Sequence, residues 1–382
     1  MAVPDRPCCH PFAVSPASAS RRRWLGAAVA GCLAGPALAQ APAPPPTPQP
    51  TPQPPLADMH THLGRRTRAQ STLDLAEEMR AHGVMLAAWA YSTDRAYIRS
   101  EPDGIHQVAE PDPARIARAM REEMRASRLY IEQSGLGLVL EAADVDRALA
   151  GHPSVVLAAE GADFMQGRLA LFDEAVDAGL RHLQLVHYTR NAVADFQTAP
   201  PRHGGLTDFG RELLRHAQAR GVLVDLAHCT EEAVRQALEI SRRPMVWSHG
   251  WVDAQPGSFD DRLGWLRRRL SLATAREIAR AGGVVGIWGL GLSRRGLRWD
   301  VGRDDAQGYA RAVLATVEQL GAAHVALGTD LAGVGESASV RSYGDVRRVL
   351  QALREGGLSE TGLAQVSHLN HARVMKAALA RA

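Results

Sequence analysis

From Leu56 onward, short apolar runs rich in β-branched residues alternate with segments whose apolar positions recur every three to four residues. Apolar runs of this length predict buried strands, and the longer periodic segments predict amphipathic helices. The predicted strands are 56–62, 84–91, 154–160, 181–187, 222–228, 244–249, 283–288 and 324–330. The predicted helices are 72–82, 113–133, 168–178, 207–220, 230–240, 271–281, 305–320 and 342–355.

Eight strands that are each followed by a helical stretch indicate an α/β fold, a single (β/α)8 TIM barrel. The alternative is a doubly wound open sheet, but no glycine-rich dinucleotide fingerprint follows the first strand. Two long insertions interrupt the alternation, 92–153 after the second strand and 250–282 after the sixth. We expect both to lie over the face of the barrel where active sites form.

The chain before the barrel has a different pattern. Three consecutive arginines, Arg21–Arg23, precede an apolar run that ends in Ala37-Leu38-Ala39, and residues 1–39 therefore resemble a twin-arginine export signal. The Pro/Gln/Ala tract over 40–55 cannot form regular backbone hydrogen bonds and predicts an extended tether. The expected organisation is a leader, this tether and a hydrolase domain over 56–382, in a periplasmic or exported protein.

An alternative processing signal lies inside the leader. Val29-Ala30-Gly31-Cys32 resembles a lipoprotein cleavage box, which would leave a lipid anchor on Cys32. The apolar run 26–38 is too short to span a bilayer, so no membrane-spanning segment is expected in the mature chain. Three of the four cysteines lie in the leader, and Cys229 alone remains beyond it, which excludes an internal disulfide.

Charge and composition limit the kinds of molecule that the protein is expected to bind. The 382 residues are 46% hydrophobic and 22% charged, which is typical of a globular protein. The formal net charge is +3, and residues 1–39 carry all of it, so the remaining chain is formally neutral. This balance gives no electrostatic argument for a nucleic-acid partner.

Residue types that bind metals or carry protons stand at or near the C-terminal ends of six predicted strands. They are His60, His62, Glu160, His187, His228, His249 and Asp330. In a TIM barrel these strand ends converge on one mouth, so the seven side chains should meet there. Strand alternation directs His60 and His62 to the same side.

Neutral imidazoles and a carboxylate are ligands that suit Zn²⁺. A carboxylate between two cations can bridge them, and a water shared by the cations then loses a proton near neutral pH and becomes a nucleophile. In many barrels with His-x-His on the first strand, a carbamylated lysine is the bridge. Lys376, the only lysine, lies far beyond the last strand, so Glu160 is the best candidate for the bridging ligand.

Several ordered motifs, covering about residues 56–376, resemble the zinc-dependent membrane (renal) dipeptidases. The motifs are Asp58–His62, Ala159–Gly161, Leu185–His187, Gly205–Gly210, Gly221–His228, Val246–His249 and Gly328–Asp330. The resemblance implies two zinc ions per chain. It assigns His60, His62 and Glu160 to one ion, and Glu160, His228 and His249 to the other.

The same resemblance implies two catalytic residues. His187 matches the residue that polarises the scissile carbonyl and stabilises the oxyanion. Asp330 matches the acid that passes a proton to the leaving amine. A protein that only binds metal needs neither residue.

The chain departs from the family at two places. Family members usually have His-x-Asp on the first strand, where this chain has His62. The family arginine that binds the dipeptide carboxylate follows the sixth-strand histidine at a shorter spacing. Here the candidates are Arg269 or Arg268, 20 and 19 residues beyond His249.

The expected function is a zinc-dependent dipeptidase that hydrolyses the amide bond of small dipeptides with a metal-bridging hydroxide. The first alternative is a related barrel metallohydrolase that acts on another small amide, a lactone or an ester. The second is a catalytically silent periplasmic protein that binds a metal or small ligand, against which the presence of His187 and Asp330 argues. The expected partner is a small dipeptide-like molecule, and a homo-oligomer is compatible with the sequence.

Overall fold

The structure is a computed structural model in which residues 54–65, 71–101, 104–253, 267–291 and 304–380 are described. All of them belong to one unit, Pro52–Ala382. The predicted export signal, Cys32 and the tether up to residue 53 lie outside the described residues.

Short strands and helices alternate along the described chain. The strands are β1 (Leu56–Thr61), β2 (Val84–Ser92), β3 (Ile98–Glu101), β4 (Gly104–Gln107), β5 (Gly137–Leu138), β6 (Ser154–Glu160), β7 (Leu180–Gln184), β8 (Leu223–Asp225), β9 (Val246–Trp247), β10 (Trp251–Asp253), β11 (Arg269–Ser271), β12 (Val284–Trp288) and β13 (Val325–Gly328). The helices are α1 (Leu75–Ala81), α2 (Pro113–Ser134), α3 (Ala142–Leu149), α4 (Leu169–Asp177), α5 (Asp208–Ala219), α6 (Glu231–Ile240), α7 (Leu272–Arg280), α8 (Ala306–Leu320), α9 (Tyr343–Glu355), α10 (Glu360–Ala364) and α11 (Asn370–Leu379).

Eight parallel strands of the described chain form the barrel, in the order β1-β2-β6-β7-β8-β9-β12-β13. Two backbone hydrogen bonds join its first and last strands. Asp330 N donates to the His60 carbonyl, and His62 N donates to the Leu331 carbonyl, both at 2.9 Å. The nearly closed sheet and its outer helices confirm the predicted (β/α)8 TIM barrel.

Many of the helices begin at a side chain that can cap the free backbone N–H groups of the first turn. Thr207, Thr230, Ser271 and Ser342 cap α5, α6, α7 and α9 in this way. Among the described residues, no helix combines the length and the apolar character that crossing a bilayer requires.

Four barrel strands end at least two residues before their predicted ends. The pattern predicts strands over 181–187, 222–228, 244–249 and 324–330, but β7, β8, β9 and β13 end three, three, two and two residues earlier. The side chain of Asp225 accepts hydrogen bonds from the N–H groups of Ala227 and Ser248, at 2.9 and 3.0 Å, just past β8 and β9. The backbone therefore leaves the ladder early and continues as loops into the barrel mouth.

Only part of the insertion 92–153 lies at the barrel mouth, where the sequence predicts the whole of it. Strands β3 and β4 form an antiparallel hairpin, and the Gln107 side chain accepts a hydrogen bond from Arg190 N, in the loop after β7, at 3.0 Å. Helices α2 and α3 instead lie in the outer layer, in contact with α4 and α11 respectively. The expectation that the whole insertion covers the mouth is therefore wrong for these two helices, whose apolar faces must be buried against neighbouring helices.

The opposite end of the barrel is covered by α11. Its residues Val374, Met375 and Ala378 are buried with Val246 and Val284, near the start of β9 and β12. This helix and α3 were not predicted. An apolar plug at the N-terminal end leaves the C-terminal mouth as the place where polar side chains collect.

Candidate metal centre

All seven residues selected from the strand ends lie together at the C-terminal mouth of the barrel. They are supplied by β1 (His60), the residue after β1 (His62), the end of β6 (Glu160), and the loops after β7, β8, β9 and β13 (His187, His228, His249 and Asp330). Each is buried, with no more than 7% of its surface exposed. Side chains spread over 270 positions of the sequence are thus brought into one cluster.

One group of potential ligands comes from β1 and β6. The Nε2 atoms of His60 and His62 lie 3.1 Å apart. Each of them is 3.3 Å from an oxygen of Glu160, His60 from Oε1 and His62 from Oε2.

A second group shares the same carboxylate. The Nε2 atoms of His228 and His249 are 3.1 Å apart. They lie 3.5 and 3.6 Å from Glu160 Oε1. Glu160 therefore stands between two pairs of imidazoles, as a bridging ligand must.

These distances fit metal ions. In a tetrahedral zinc site with bonds of ~2.0–2.1 Å, neighbouring ligand atoms lie ~3.3 Å apart. The Nδ1 atom of His62 faces the Ala90 carbonyl at 3.0 Å, and that of His249 faces the Ser248 hydroxyl at 2.8 Å. Such partners orient a metal-binding histidine so that its Nε2 is directed at the ion. The donor types and their spacing both suit Zn²⁺.

Electrostatics also favour cations at this cluster. Burial opposes ionisation of Glu160, but the surrounding imidazoles, above all His187 and His60, hold its pKa well below the usual range. Burial together with neighbouring positive charge lowers the pKa of His228 and His249 well below that of free histidine, so both are neutral. An ionised carboxylate and neutral imidazoles are the protonation states that metal binding requires.

His62 differs from the other ligands. Burial alone would lower its pKa, but the charges of Glu160 and Asp330 outweigh burial and raise that pKa to about 9. Two carboxylates therefore surround this ring with negative charge, which favours a cation there.

Asp330 stands at the edge of the cluster in an unusual backbone conformation. Its φ of 52° lies in the left-handed region, as does the φ of 70° at His228. Trp288 Nε1 donates to its Oδ2 at 2.9 Å, whereas Oδ1 has no hydrogen-bond donor among the described residues and lies 3.3 Å from His62 Nε2. A Cβ on Gly333 would come within 1.9 Å of this Oδ1, so glycine is needed there. Non-glycine residues in this conformation concentrate at functional sites.

The two arginines that could bind a substrate carboxylate differ in burial and in hydrogen-bond partners. Arg268 is completely buried, and its guanidinium donates to the Gln197 side chain at 2.8 Å and to the His249 carbonyl at 3.3 Å. It also lies 5.0 Å from the centre of the Trp288 ring. Arg269 is half-buried in β11. Arg268 precedes β11, in a short helical turn, and its contacts bring it to the cluster.

Sequence reasoning missed four side chains that touch the cluster or its neighbours. The hydroxyl of Ser92 donates to Glu160 Oε2, and Asp94 binds the ring of His187. Trp288 binds Asp330, and Gln197 binds Arg268. Ser92 and Trp288 end β2 and β12, the two barrel strands for which no site residue was predicted. A search that extended one residue past each predicted strand, and that admitted any hydrogen-bonding side chain, would have included both.

The departure at His62 leads to a testable prediction. An imidazole in place of a carboxylate leaves a bound metal pair one charge unit more positive. A water shared by the two ions then becomes more acidic, and the ion that this residue binds is held less tightly. We expect His62→Asp to fold, to bind zinc at least as tightly, and to shift the acidic limb of the pH–rate profile upward. Zinc affinity by chelator competition and kcat/KM against pH are the measurements.

The surface variant His152→Asp serves as a control for the loss of an imidazole. If His62→Asp leaves metal affinity, pH profile and substrate range unchanged, His62 is not a ligand.

Comparisons with known proteins agree with this cluster. A model of the family described as membrane dipeptidase, peptidase family M19, matches residues 55–382. An uncharacterised dipeptidase of Schizosaccharomyces pombe is 33% identical over 102 residues, 26% of this chain and 25% of that protein. A dipeptidase of Claviceps purpurea is 26% identical over 213 residues, 52% of this chain and 44% of that protein. The matches therefore span less than half the length of these curated relatives.

Solved structures share the fold. A dipeptidase of family M19 has a TM-score of 0.72 at 20% identity, covering 85% of this chain and 98% of that one. A metallopeptidase of Rhodobacter sphaeroides, crystallised with a phosphinate mimic of the dipeptide L-Ala-D-Ala, has a TM-score of 0.71 at 20% identity, covering 85% and 99%. At such low identity these likenesses establish the fold alone.

Proposed function

Because the chain belongs to the membrane dipeptidase family, peptidase family M19, we propose that it is a zinc-dependent enzyme that hydrolyses the amide bond of small dipeptides. The observation that carries this proposal is the position of Glu160. Its carboxylate lies between two pairs of imidazoles. Nearby are the Oδ1 of Asp330, which has no hydrogen-bond donor within the described part of the chain, and the buried guanidinium of Arg268. The dipeptide mimic bound by the Rhodobacter sphaeroides neighbour supports a substrate of this size.

Two zinc ions would be held by five residues. His60, His62 and Glu160 would bind one ion, and Glu160, His228 and His249 the other. When bound, the ions supply Lewis acidity and an acidified water. His62 and His249 are held in place by their Nδ1 contacts, so these rings are already oriented for binding.

His187 and Asp330 perform the proton and charge chemistry in this proposal. His187 Nε2 faces the cluster, 3.4 Å from Glu160 Oε1, where it can donate to the oxygen of the scissile carbonyl as negative charge develops there. Asp330 takes up the proton of the attacking water on its Oδ1 and delivers it to the nitrogen of the departing amine. Trp288 Nε1 donates to Oδ2 of this carboxylate, and Oδ1 faces the cluster, 3.3 Å from His62 Nε2.

Arg268 would bind the free carboxylate of the dipeptide. Its side chain is buried beside His249, and Gln197 holds one end of the guanidinium. A planar guanidinium can bind a carboxylate with two parallel hydrogen bonds, which an ammonium cannot reproduce. A binding group at this place selects substrates that end one residue after the scissile bond.

The test is Arg268→Lys, assayed on a free dipeptide and on the same dipeptide with an amidated C-terminus. Loss of a charge-assisted hydrogen bond of about 1.5–3 kcal/mol should raise KM for the free dipeptide by about 10–100-fold and hardly affect the amide. Arg269→Lys makes the same change at the next residue and should leave both KM values near wild type. Zinc content of the purified variants shows that the centre is intact.

Equal hydrolysis of free and amidated dipeptides by the wild-type protein would reject the carboxylate clamp. The second hypothesis, a related metallohydrolase of another small amide, lactone or ester, would then take its place.

A further inference from the structure

Asp94 is the buried partner of His187. It lies just past β2 and is completely buried. Its Oδ1 is 2.7 Å from His187 Nδ1, and its Oδ2 accepts from Tyr188 N at 3.0 Å. One carboxylate thus holds two consecutive residues of the loop after β7.

We propose that Asp94 is a positioning residue for the reaction, which fixes the ring of His187 so that Nε2, rather than Nδ1, faces Glu160 and the substrate. This inference rests on the proposed function, because it assigns Asp94 a role through His187. The ring stands in a loop, past the end of β7, and the strand ladder does not orient it. Among the described residues, Asp94 is the hydrogen-bond partner of Nδ1, and Nε2 points into the cluster.

Both carboxylate oxygens are needed for this role. The side chain of asparagine could accept from His187 Nδ1 with its oxygen, but its NH2 group would then face the N–H of Tyr188. Either orientation of the amide places a donor against a donor. Asp94→Asn therefore disturbs the loop and the ring while keeping the volume of the side chain.

Asp163 offers a matched control. It is a second buried acid in the same region, and its Oδ1 accepts from the Thr189 hydroxyl at 2.6 Å. Burial and the nearby charge of Asp94 raise the pKa of Asp163 to about 7. Asp163→Asn keeps an acceptor for Thr189 and leaves the contact between Asp94 and His187 intact. Comparison of the two variants tests whether loss of any buried acid near His187 lowers kcat, or only loss of the acid that binds the ring.

The experiment compares Asp94→Asn and Asp163→Asn in the zinc-loaded protein. Loss of a group that orients a catalytic or metal-binding histidine typically costs about 10–100-fold. We expect Asp94→Asn to lower kcat by that factor with KM and zinc content near wild type, and Asp163→Asn to change kcat by less than about threefold. Equal losses of kcat in the two variants would overturn the proposal.

A double-mutant cycle separates positioning from a general structural effect. If Asp94 acts through His187, adding Asp94→Asn to a His187→Ala protein should cause no further loss of kcat. A further loss as large as that in the wild-type background would show that Asp94 acts elsewhere.

A proton NMR measurement tests the contact without activity. An imidazole N–H bound to a carboxylate gives a far-downfield signal, which is assigned to His187 by its absence in His187→Ala. We expect that signal in wild type and Asp163→Asn, and its loss or displacement in Asp94→Asn. If the wild-type protein shows the signal but hydrolyses no dipeptide, the proposed function is rejected and the contact between Asp94 and His187 stands. If the signal is unchanged in Asp94→Asn, the contact itself is rejected.

Discussion

Asp330→Asn should retain the fold and both metal ions but lower kcat by about 10²–10⁴-fold, the usual contribution of a general acid–base group. Asparagine fills the same volume, tolerates the left-handed backbone at this position, and can still accept from Trp288 Nε1. It cannot take up or deliver a proton. Steady-state kinetics on a dipeptide, together with zinc content, is the measurement.

Asp304→Asn is the matched control for this change. Asp304 also has a left-handed backbone, with φ of 52°, but its side chain is exposed and pairs with Arg341. This variant should keep wild-type kcat. If Asp330→Asn does so as well, Asp330 is a structural residue and another group must carry the proton.

Removal of metal should have an effect of similar size. We expect about two zinc equivalents per chain, and a chelator should reduce hydrolysis by about 10³-fold or more, since Lewis-acid stabilisation is worth several kcal/mol. Added zinc should restore the activity. Metal analysis of protein prepared without chelator measures the zinc content, and a dipeptide assay with and without chelator measures the loss of activity.

Three variants test the shared ligand. His228→Ala and His249→Ala should each weaken one site, whereas Glu160→Ala should weaken both, because its carboxylate lies within 3.6 Å of an imidazole nitrogen of each pair. Loss of one and the same ion in all three variants would contradict the bridging assignment. A zinc content that stays near zero after reconstitution would contradict the two-metal site altogether.

The barrel could be predicted because its strands are buried on both sides. Such strands appear as short apolar runs whatever their neighbours are, and each of the eight predicted runs overlaps a barrel strand. Helices α3 and α11 were not predicted, because their short sequences lack a long apolar pattern of their own. Helix α11 is only partly apolar and has His371 among its buried residues, so its role as the cover of the barrel's N-terminal end depends on the strands above it.

The fold and seven members of the candidate site could be predicted from the sequence, since the convergence of strand ends follows from local apolar patterns and one topological rule. Which arginine enters the cluster could not be predicted, because Arg268 and Arg269 are chemically identical and only the burial and long-range hydrogen bonds of Arg268 distinguish them. Tertiary structure also decided the pairing of Asp94 with His187, 93 positions apart. Such contacts depend on where loops turn after the strands end, and loop direction is fixed by long-range hydrogen bonds such as those of Asp225 and Asp94, which no local pattern records.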